Sequence, residues 1–220
     1  MNPYYERNGI TIYHGDCREM LPGVSADAVV SDPPYGMKWN TDSTRFSGGK
    51  SNRRRGAGRS DWGAISGDAD QFDPSPWLAF KSCILWGANH YASRLPVGTT
   101  LVWLKKADHL FGRFLSDCEI GWMKGGHGVY AFRKNFPPPS RMAEGGGVCL
   151  HPTQKPVALM RWCIEKTSGT VLDPFMGSGT TLRAAKELGR NAIGIEVEER
   201  YCEIAAKRLE QEVLPLEVPA

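Results

Sequence analysis

Two short segments carry residue types whose combination can do chemistry. The first is Asp32-Pro33-Pro34-Tyr35-Gly36, leaving the strand-length apolar run Ala28-Val29-Val30-Ser31. Two prolines fix the backbone and remove two N–H donors, so the turn presents a carboxylate and backbone carbonyls, which accept hydrogen bonds. An exocyclic amine on a nucleobase has two hydrogens to donate, but its lone pair is delocalised into the ring. Asp32 and the Pro33 carbonyl, each holding one hydrogen, would draw that nitrogen towards tetrahedral geometry and localise the lone pair. Tyr35 would stack on the base, and orientation and electrostatics would do the rest with no covalent enzyme intermediate. A base in a duplex reaches such a pocket only by flipping out. The competing reading is a Pro-Pro turn that ends a strand beside an incidental acid.

The second segment is Asp173-Pro174-Phe175-Met176-Gly177-Ser178-Gly179-Thr180-Thr181. It joins the apolar run Thr170–Leu172 to a helical pattern, the place where open α/β sheets bind ligands. Glycines let the backbone approach a ligand closely, and a helix N-terminus favours a carboxylate. Glu196 ends the following strand, near the offset of about 20 residues at which an acid meets ribose hydroxyls. A lone Gly-x-Gly is equally compatible with a plain tight connection; Glu196 tips the reading towards a nucleotide-like ligand. Leu182 stands where a dinucleotide fingerprint needs its third glycine, which disfavours a Rossmann dehydrogenase. Gly49-Lys50-Ser51 imitates the end of a phosphate-binding loop, but Thr44 replaces the required first glycine.

The elements that must position these residues alternate strand and helix, the pattern of a sheet covered on both faces. Strands are predicted at Ile10–Tyr13, Ala28–Ser31, Cys83–Trp86, Thr100–Trp103, Glu119–Trp122, Thr170–Leu172 and Ala192–Ile195. Helices are predicted over Pro156–Lys166, with Val157, Met160 and Ile164 on one face, over about Gly179 to Leu188, and from Glu198-Glu199 onwards. The last should bury Tyr201, Ile204, Ala205 and Leu209, with Lys207-Arg208 suiting its dipole. Residues 40–62 are rich in Gly, Ser and Arg and are expected to form a mobile basic loop, with Lys50, Arg53, Arg54, Arg55 and Arg59 placed for DNA phosphates. Residues 124–150 read as an irregular Gly/Pro-rich insertion.

The whole is expected to be one domain over residues 1–220. A net charge of +3 is too small to identify a nucleic-acid partner by itself. The six cysteines are dispersed without a C-x-x-C pair, which suggests reduced, mostly buried thiols and disfavours a zinc ribbon. Without clustered His or Cys partners for His151, no metal is expected. No apolar run approaches the roughly 20 residues of a membrane span, and the N-terminus lacks a signal-peptide core, so the expected location is the cytoplasm. Trp86, Trp103 and Trp122 are assigned to the core, and Trp39, Trp62 and Tyr130 to packing before base contact.

Together the two segments resemble the DNA amino-methyltransferases that modify adenine N6 or cytosine N4. Asp32-Pro33-Pro34-Tyr35 looks like their catalytic motif and Asp173–Gly179 like their cofactor motif. His151-Pro152-Thr153-Gln154-Lys155-Pro156 is similar to a further element that contacts the cofactor, and Gly15-Asp16-Cys17 to the segment reaching its adenine. The order, catalytic before cofactor motif, resembles the circularly permuted β-type subgroup. The resemblance implies a Rossmann-like methyltransferase fold with about seven mostly parallel strands, S-adenosylmethionine as cofactor, and double-stranded DNA as partner. It implies Asp32, Pro33, Pro34 and Tyr35 as catalytic residues. It implies cofactor contacts at Asp16, Cys17, Asp32, Lys155, Asp173, Phe175, Gly177, Ser178, Gly179, Thr180 and Glu196, and leaves room for a homodimer, a restriction partner and target recognition over 124–150. Asp at position 32 is usual for adenine N6 enzymes, while N4 enzymes more often carry Ser there. Cytosine N4, RNA or a protein amide stay open as acceptors, as does a DNA-binding protein of this fold without turnover. The C5-cytosine mechanism is disfavoured, because no cysteine follows a proline. Leu104 stands before Lys105 where the family often has Asp.

Overall fold

The computed structural model describes residues 1–42, 63, 65–113 and 115–210. Lys50, Arg53, Arg54, Arg55, Arg59 and Trp62, and with them the expected mobile loop beyond residue 42, lie outside the described residues.

Eight strands form one sheet: β1 Tyr5–Arg7, β2 Ile10–His14, β3 Ala28–Ser31, β4 Ser82–Trp86, β5 Gly98–Leu104, β6 Cys118–Arg133, β7 Val171–Asp173 and β8 Ala192–Glu196, in the order β1-β2-β8-β7-β3-β4-β6-β5. The five from β2 to β4 are mutually parallel, while β1 and β6 run antiparallel to β2 and β4. All seven expected strands are present. The eighth, β1, pairs Tyr5 with Ile12 and Arg7 with Ile10 across Asn8-Gly9, both at positive φ (51° and 76°). Asn-Gly is the strongest short hairpin signal, because a two-residue type I′ turn needs both residues left-handed.

Every residue of β3 is buried, as befits a central parallel strand covered on both faces. Successive side chains feed opposite cores: Val30, Ile84 and Trp86 pack with one set of helices, Val29, Cys83 and Leu85 with another. The first core takes in α4 (Val157–Ile164), α5 (Thr180–Glu187) and α6 (Glu199–Glu210); the second takes in the short helices α1 (Cys17–Met20) and α2 (Ser75–Leu78). Leu159 and Leu182 are fully buried in the first, each a contribution of about 1.5–3 kcal/mol. The tryptophans expected in the core, Trp86, Trp103 and Trp122, are buried there.

Residues 124–150 are more regular than their composition suggests. β6 continues through the glycines to Arg133, and α3 spans Pro138–Glu144. β5 meets β6 in two registers: Thr100 lies opposite Trp122 in one, counting in opposite senses, and opposite Val129 in the other, counting in the same sense. A strand has two edges, so the two limbs of β6 flank β5. Glycine weakens a strand through entropy, yet here Gly125 and Gly126 take φ of 82° and 66° where the chain rounds the start of β5. Trp39 and Tyr130 are 41% and 54% exposed, contrary to their expected packing role.

β3 and β7 are adjacent, and the chain leaves them in opposite directions, β3 towards β4 and β7 towards β8. The carboxyl ends of these two strands therefore form the switch point where ligands bind in such sheets. Both chemistry-bearing turns start there.

Candidate active site

Asp32 leaves β3 and Asp173 ends β7, and the link between them is direct. Ser31 Oγ donates to Asp173 Oδ1 at 2.6 Å, and Phe175 N–H donates to the same oxygen at 3.2 Å. Burial pushes the Asp173 carboxyl up to about 6, with Ser31, Thr181 and Phe175 as donors opposing the shift. The glycine turn then lies against β8: Met176 N–H donates to the Ile195 carbonyl at 3.1 Å. A Cβ on Gly194 would sit 2.4 Å from Met176 Sδ, so this close approach requires glycine. Gly177 N–H donates to Glu196 Oε2 at 2.9 Å, and Glu198 N–H to Glu196 Oε1 at 2.8 Å. Gly179, at φ 76°, caps α5. The turn is also held from outside: Arg208 Nη1 donates to the Ser178 carbonyl at 2.6 Å and reaches Ser178 Oγ at 3.2 Å and Thr180 Oγ1 at 3.4 Å.

Asp32 has a cation and a phenol for partners. Lys155 Nζ donates to Asp32 Oδ2, and Tyr35 OH donates to Asp32 Oδ1 at 2.5 Å. Lys155 also pairs with Glu119 at 3.1 Å, and Lys105 pairs with the other Glu119 oxygen at 2.9 Å. Burial raises the Asp32 carboxyl above the ordinary range, with the Lys155 ammonium opposing. Burial would also raise Glu119, but Lys155 and Lys105 bring its carboxyl down to about 2. Burial disfavours the charge on Lys155, yet Asp32 and Glu119 together raise its ammonium above the ordinary value. The Tyr35 ring stacks on His90 with centroids 4.8 Å apart and planes 10° from parallel. Behind it, a Cβ on Gly87 (φ 73°) would come within 2.0 Å of Tyr35 Cε1.

Asp32, Lys155, Asp173, Phe175, Gly177, Ser178 and Thr180 line one cleft together with Gln154. Gln154 is 6% exposed, and neither its amide nitrogen nor its amide oxygen has a hydrogen-bond partner. Buried polar atoms are otherwise almost always paired, so an amide left open on both sides points to a polar ligand in this cleft.

The comparisons with known proteins agree with this geometry. A family model described as "DNA methylase", for N6 and N4 methyltransferases, matches residues 99–207, a span that holds the glycine turn and Glu196. The Type II methyltransferase M2.LlaDCHI of Lactococcus lactis subsp. cremoris is 29% identical, covering 94% of this chain and 91% of its own length, which includes the Asp32 turn in the aligned share. The chain belongs to the N6/N4 DNA methylase family. M2.DpnII of Streptococcus pneumoniae is 28% identical over 96% of this chain and 93% of its own. Among solved structures, the M1.HpyAVI-SAM complex superposes with a TM-score of 0.54 at 24% identity, over 92% of this chain and 100% of that one. The cytosine-N4-specific PvuII DNA methyltransferase gives 0.61 at 14% identity, over 96% and 90%. Both likenesses establish the fold.

Within this DNA methylase several expected site residues have surroundings that the sequence does not suggest. The Lys155 ammonium serves Asp32 and Glu119. Cys17 is 6% exposed within a core cluster, and burial pushes its thiol up to about 12, so its side chain packs in the core as a neutral thiol. Asp16 caps α1 through Arg18 N–H at 2.9 Å and pairs with the Arg18 guanidinium; its place beside Glu196 follows from His14 pairing with Glu196 between β2 and β8. One face of Tyr35 is taken by His90, which the sequence does not suggest. His151 is a neutral loop residue: its Nδ1 accepts from Thr153 N–H at 3.3 Å, its ring meets Tyr201 edge-on at 4.7 Å, and burial, with Lys155 and Arg200 nearby, pushes it down to about 3. Arg208, expected to serve the helix dipole, is instead buried behind the turn.

Glu119, His90, Gly87 and Arg208 join the site from the structure and not from the sequence, and Lys105, already placed in a family-like segment, gains its partner Glu119 there. Gly87, directly after the last strand residue Trp86, carries a local signal for a left-handed turn. The others carry none, because their roles depend on which strands become neighbours. Among the described residues no group of three or more His, Cys, Asp or Glu has metal-binding geometry, and no helix is long and apolar enough to cross a membrane.

Proposed function

We propose that this DNA methylase transfers a methyl group to the N6 amine of adenine in double-stranded DNA, at Asp32, with the base flipped into the cleft. The observation that carries the reading is the position of Asp32-Pro33-Pro34-Tyr35 at the end of β3, joined through Ser31 to the glycine turn on β7. The cofactor is S-adenosylmethionine, which supplies a methyl group on a sulfonium. The residues present fit it: Gln154 offers both a donor and an acceptor, the Gly177–Gly179 turn lets the backbone approach, and Glu196 keeps lone pairs for ribose hydroxyls beyond its two backbone bonds.

On the acceptor side, Asp32 and the Pro33 carbonyl hold the two amine hydrogens, and the Tyr35 ring, turned away from His90, stacks on the base. As the nitrogen gains a methyl group it becomes cationic, and the buried Asp32 carboxylate stabilises that charge before a proton is lost to solvent. Asp at position 32, where N4 enzymes more often have Ser, supports adenine. The order of the motifs supports the permuted β-type subgroup. Lys50, Arg53, Arg54, Arg55 and Arg59 are assigned to phosphate contacts and residues 124–150 to target recognition.

The deciding experiment is transfer of labelled methyl to duplex DNA followed by digestion to nucleosides. N6-methyladenine is the expected product; N4-methylcytosine alone overturns the adenine assignment. Asp32→Ala should abolish transfer while cofactor affinity stays within about threefold, and retained transfer would sink the mechanism.

A further inference from the structure

The glycine turn and Asp32 leave one part of the site without a role: the ion network Asp32–Lys155–Glu119–Lys105. We propose that Glu119 is a positioning residue for methyl acceptance, holding Lys155 as the fixed counter-cation of Asp32. The inference rests on Asp32 being the amine-binding carboxylate.

The Lys155 ammonium has three N–H donors on a flexible four-carbon stem. Here three acceptors surround it: Asp32 Oδ2, Glu119 Oε2 at 3.1 Å and Tyr35 OH at 3.4 Å. The Lys155 side chain is 6% exposed and that of Asp32 16%, so bulk water replaces neither partner. Glu119 is in turn fixed by Lys105 at 2.9 Å on its other oxygen. Two carboxylates thus face two ammoniums, and Glu119, on β6, ties Lys155 in the loop ahead of α4 to Lys105, directly after β5.

The chemistry needs this arrangement. Asp32 must stay ionised, because a protonated carboxyl loses acceptor capacity and becomes a donor facing an amine that also donates. A buried carboxylate with no cation takes up a proton instead. Lys155 supplies the cation, and Glu119 limits how far its ammonium can advance into the acceptor pocket. Without Glu119, Lys155 is held by the Asp32–Tyr35 side alone and competes with the incoming amine for the same oxygens.

The groups facing Asp32 are Tyr35 on its own turn, Lys155 ahead of α4, Glu119 on β6, Asp173 at the end of β7, and Tyr91 beyond β4. The test uses the full chain as wild type, Glu119→Gln, Lys155→Met and the double variant. Turnover is followed against pH, cofactor affinity by calorimetry, and Asp32 titration by its 13C carboxyl resonance, which needs no turnover. Glu119→Gln is expected to lower kcat at least tenfold with cofactor affinity within threefold. Lys155→Met should raise the Asp32 titration by at least about one pH unit, the sign expected when a buried carboxylate loses its cation. In the double variant the titration should fall back towards wild type, because the second negative charge is gone too.

A Glu119 whose charge does not act at Asp32 would show no such reversal, and the loss of kcat in Glu119→Gln at unchanged cofactor affinity reports its hold on Lys155. Wild-type kcat in Glu119→Gln, or a double variant titrating at or above Lys155→Met, overturns the inference. Should Glu119→Gln fail to fold, Lys105→Met decides: a drop of threefold or more supports it, and wild-type turnover overturns it. Absence of any methylated amine in DNA treated with wild type counts against the amine-methylation reading itself, while the carboxyl titration still decides the role of Glu119.

Discussion

Arg208 stands behind the cofactor turn, and its position shows how one side chain sets the shape of a cleft it does not enter. Its Nη1 holds the Ser178 carbonyl, while Nε and Nη2 have no hydrogen-bond partner and burial pushes the guanidinium down to about 10. A buried cation incompletely paired contributes little net stability, so its role is to fix the turn. Arg208→Met is expected to cost no more than about 1–2 kcal/mol in urea denaturation and to weaken cofactor binding about tenfold; unchanged calorimetric affinity would refute this role. His151 supplies a pH dependence. Its folded value of about 3 lies below the ordinary 6.5, so the unfolded chain binds the proton more readily. Stability from this group is complete above about 6.5 and is lost as pH falls towards 3. His151→Gln should therefore show a shallower fall in its denaturation midpoint between about pH 7 and pH 5 than wild type. Equal falls would contradict the assignment. Of these two residues the sequence reveals only His151, through its place in His151–Pro156; Arg208 looks like an exposed helix-end cation, because nothing local records that α6 packs on the turn.

At the scale of elements, the strands are legible in the sequence and their neighbours are not. Continuous apolar runs mark β3, β4 and β7, because a strand buried on both faces has no polar side to alternate. The hairpin β1–β2 is written in Asn8-Gly9, but β1 lies outside the seven expected strands, since it has only three residues and none fully buried. The irregular reading of 124–150 fails because glycine content does not exclude a strand: pairing to both edges of β5 overrides the weak propensity. Two glycines make element-scale predictions. Gly87→Ala puts a Cβ into the Tyr35 ring from a left-handed position. It should destabilise by about 1–3 kcal/mol and reduce transfer at least tenfold, read from thermal melts and labelled-methyl assays. Gly194→Ala drives β8 against Met176 and Leu182. It should weaken cofactor affinity with a similar stability loss, and wild-type affinity would show that the turn does not depend on that close approach.

For the whole molecule, binding to DNA is expected to depend on salt through the phosphate contacts of the basic segment. Replacing Lys50, Arg53, Arg54, Arg55 and Arg59 with Ser should flatten the slope of log affinity against log salt by about 0.9 for each phosphate the segment no longer neutralises. Turnover at saturating DNA should be preserved; an unchanged slope removes this segment from the interface. By itself the sequence determined the two turns, the α/β alternation and the chemical types at Asp32 and Glu196, because each is written in consecutive residues and short-range backbone rules. Only the tertiary structure decided that β3 and β7 are neighbours, that His90 covers one face of Tyr35, and that Glu119 and Lys105 complete the charge around Lys155. These are contacts between residues up to 142 positions apart, as between Ser31 and Asp173, and their energy depends on distance in space and burial, which no spacing along the chain encodes.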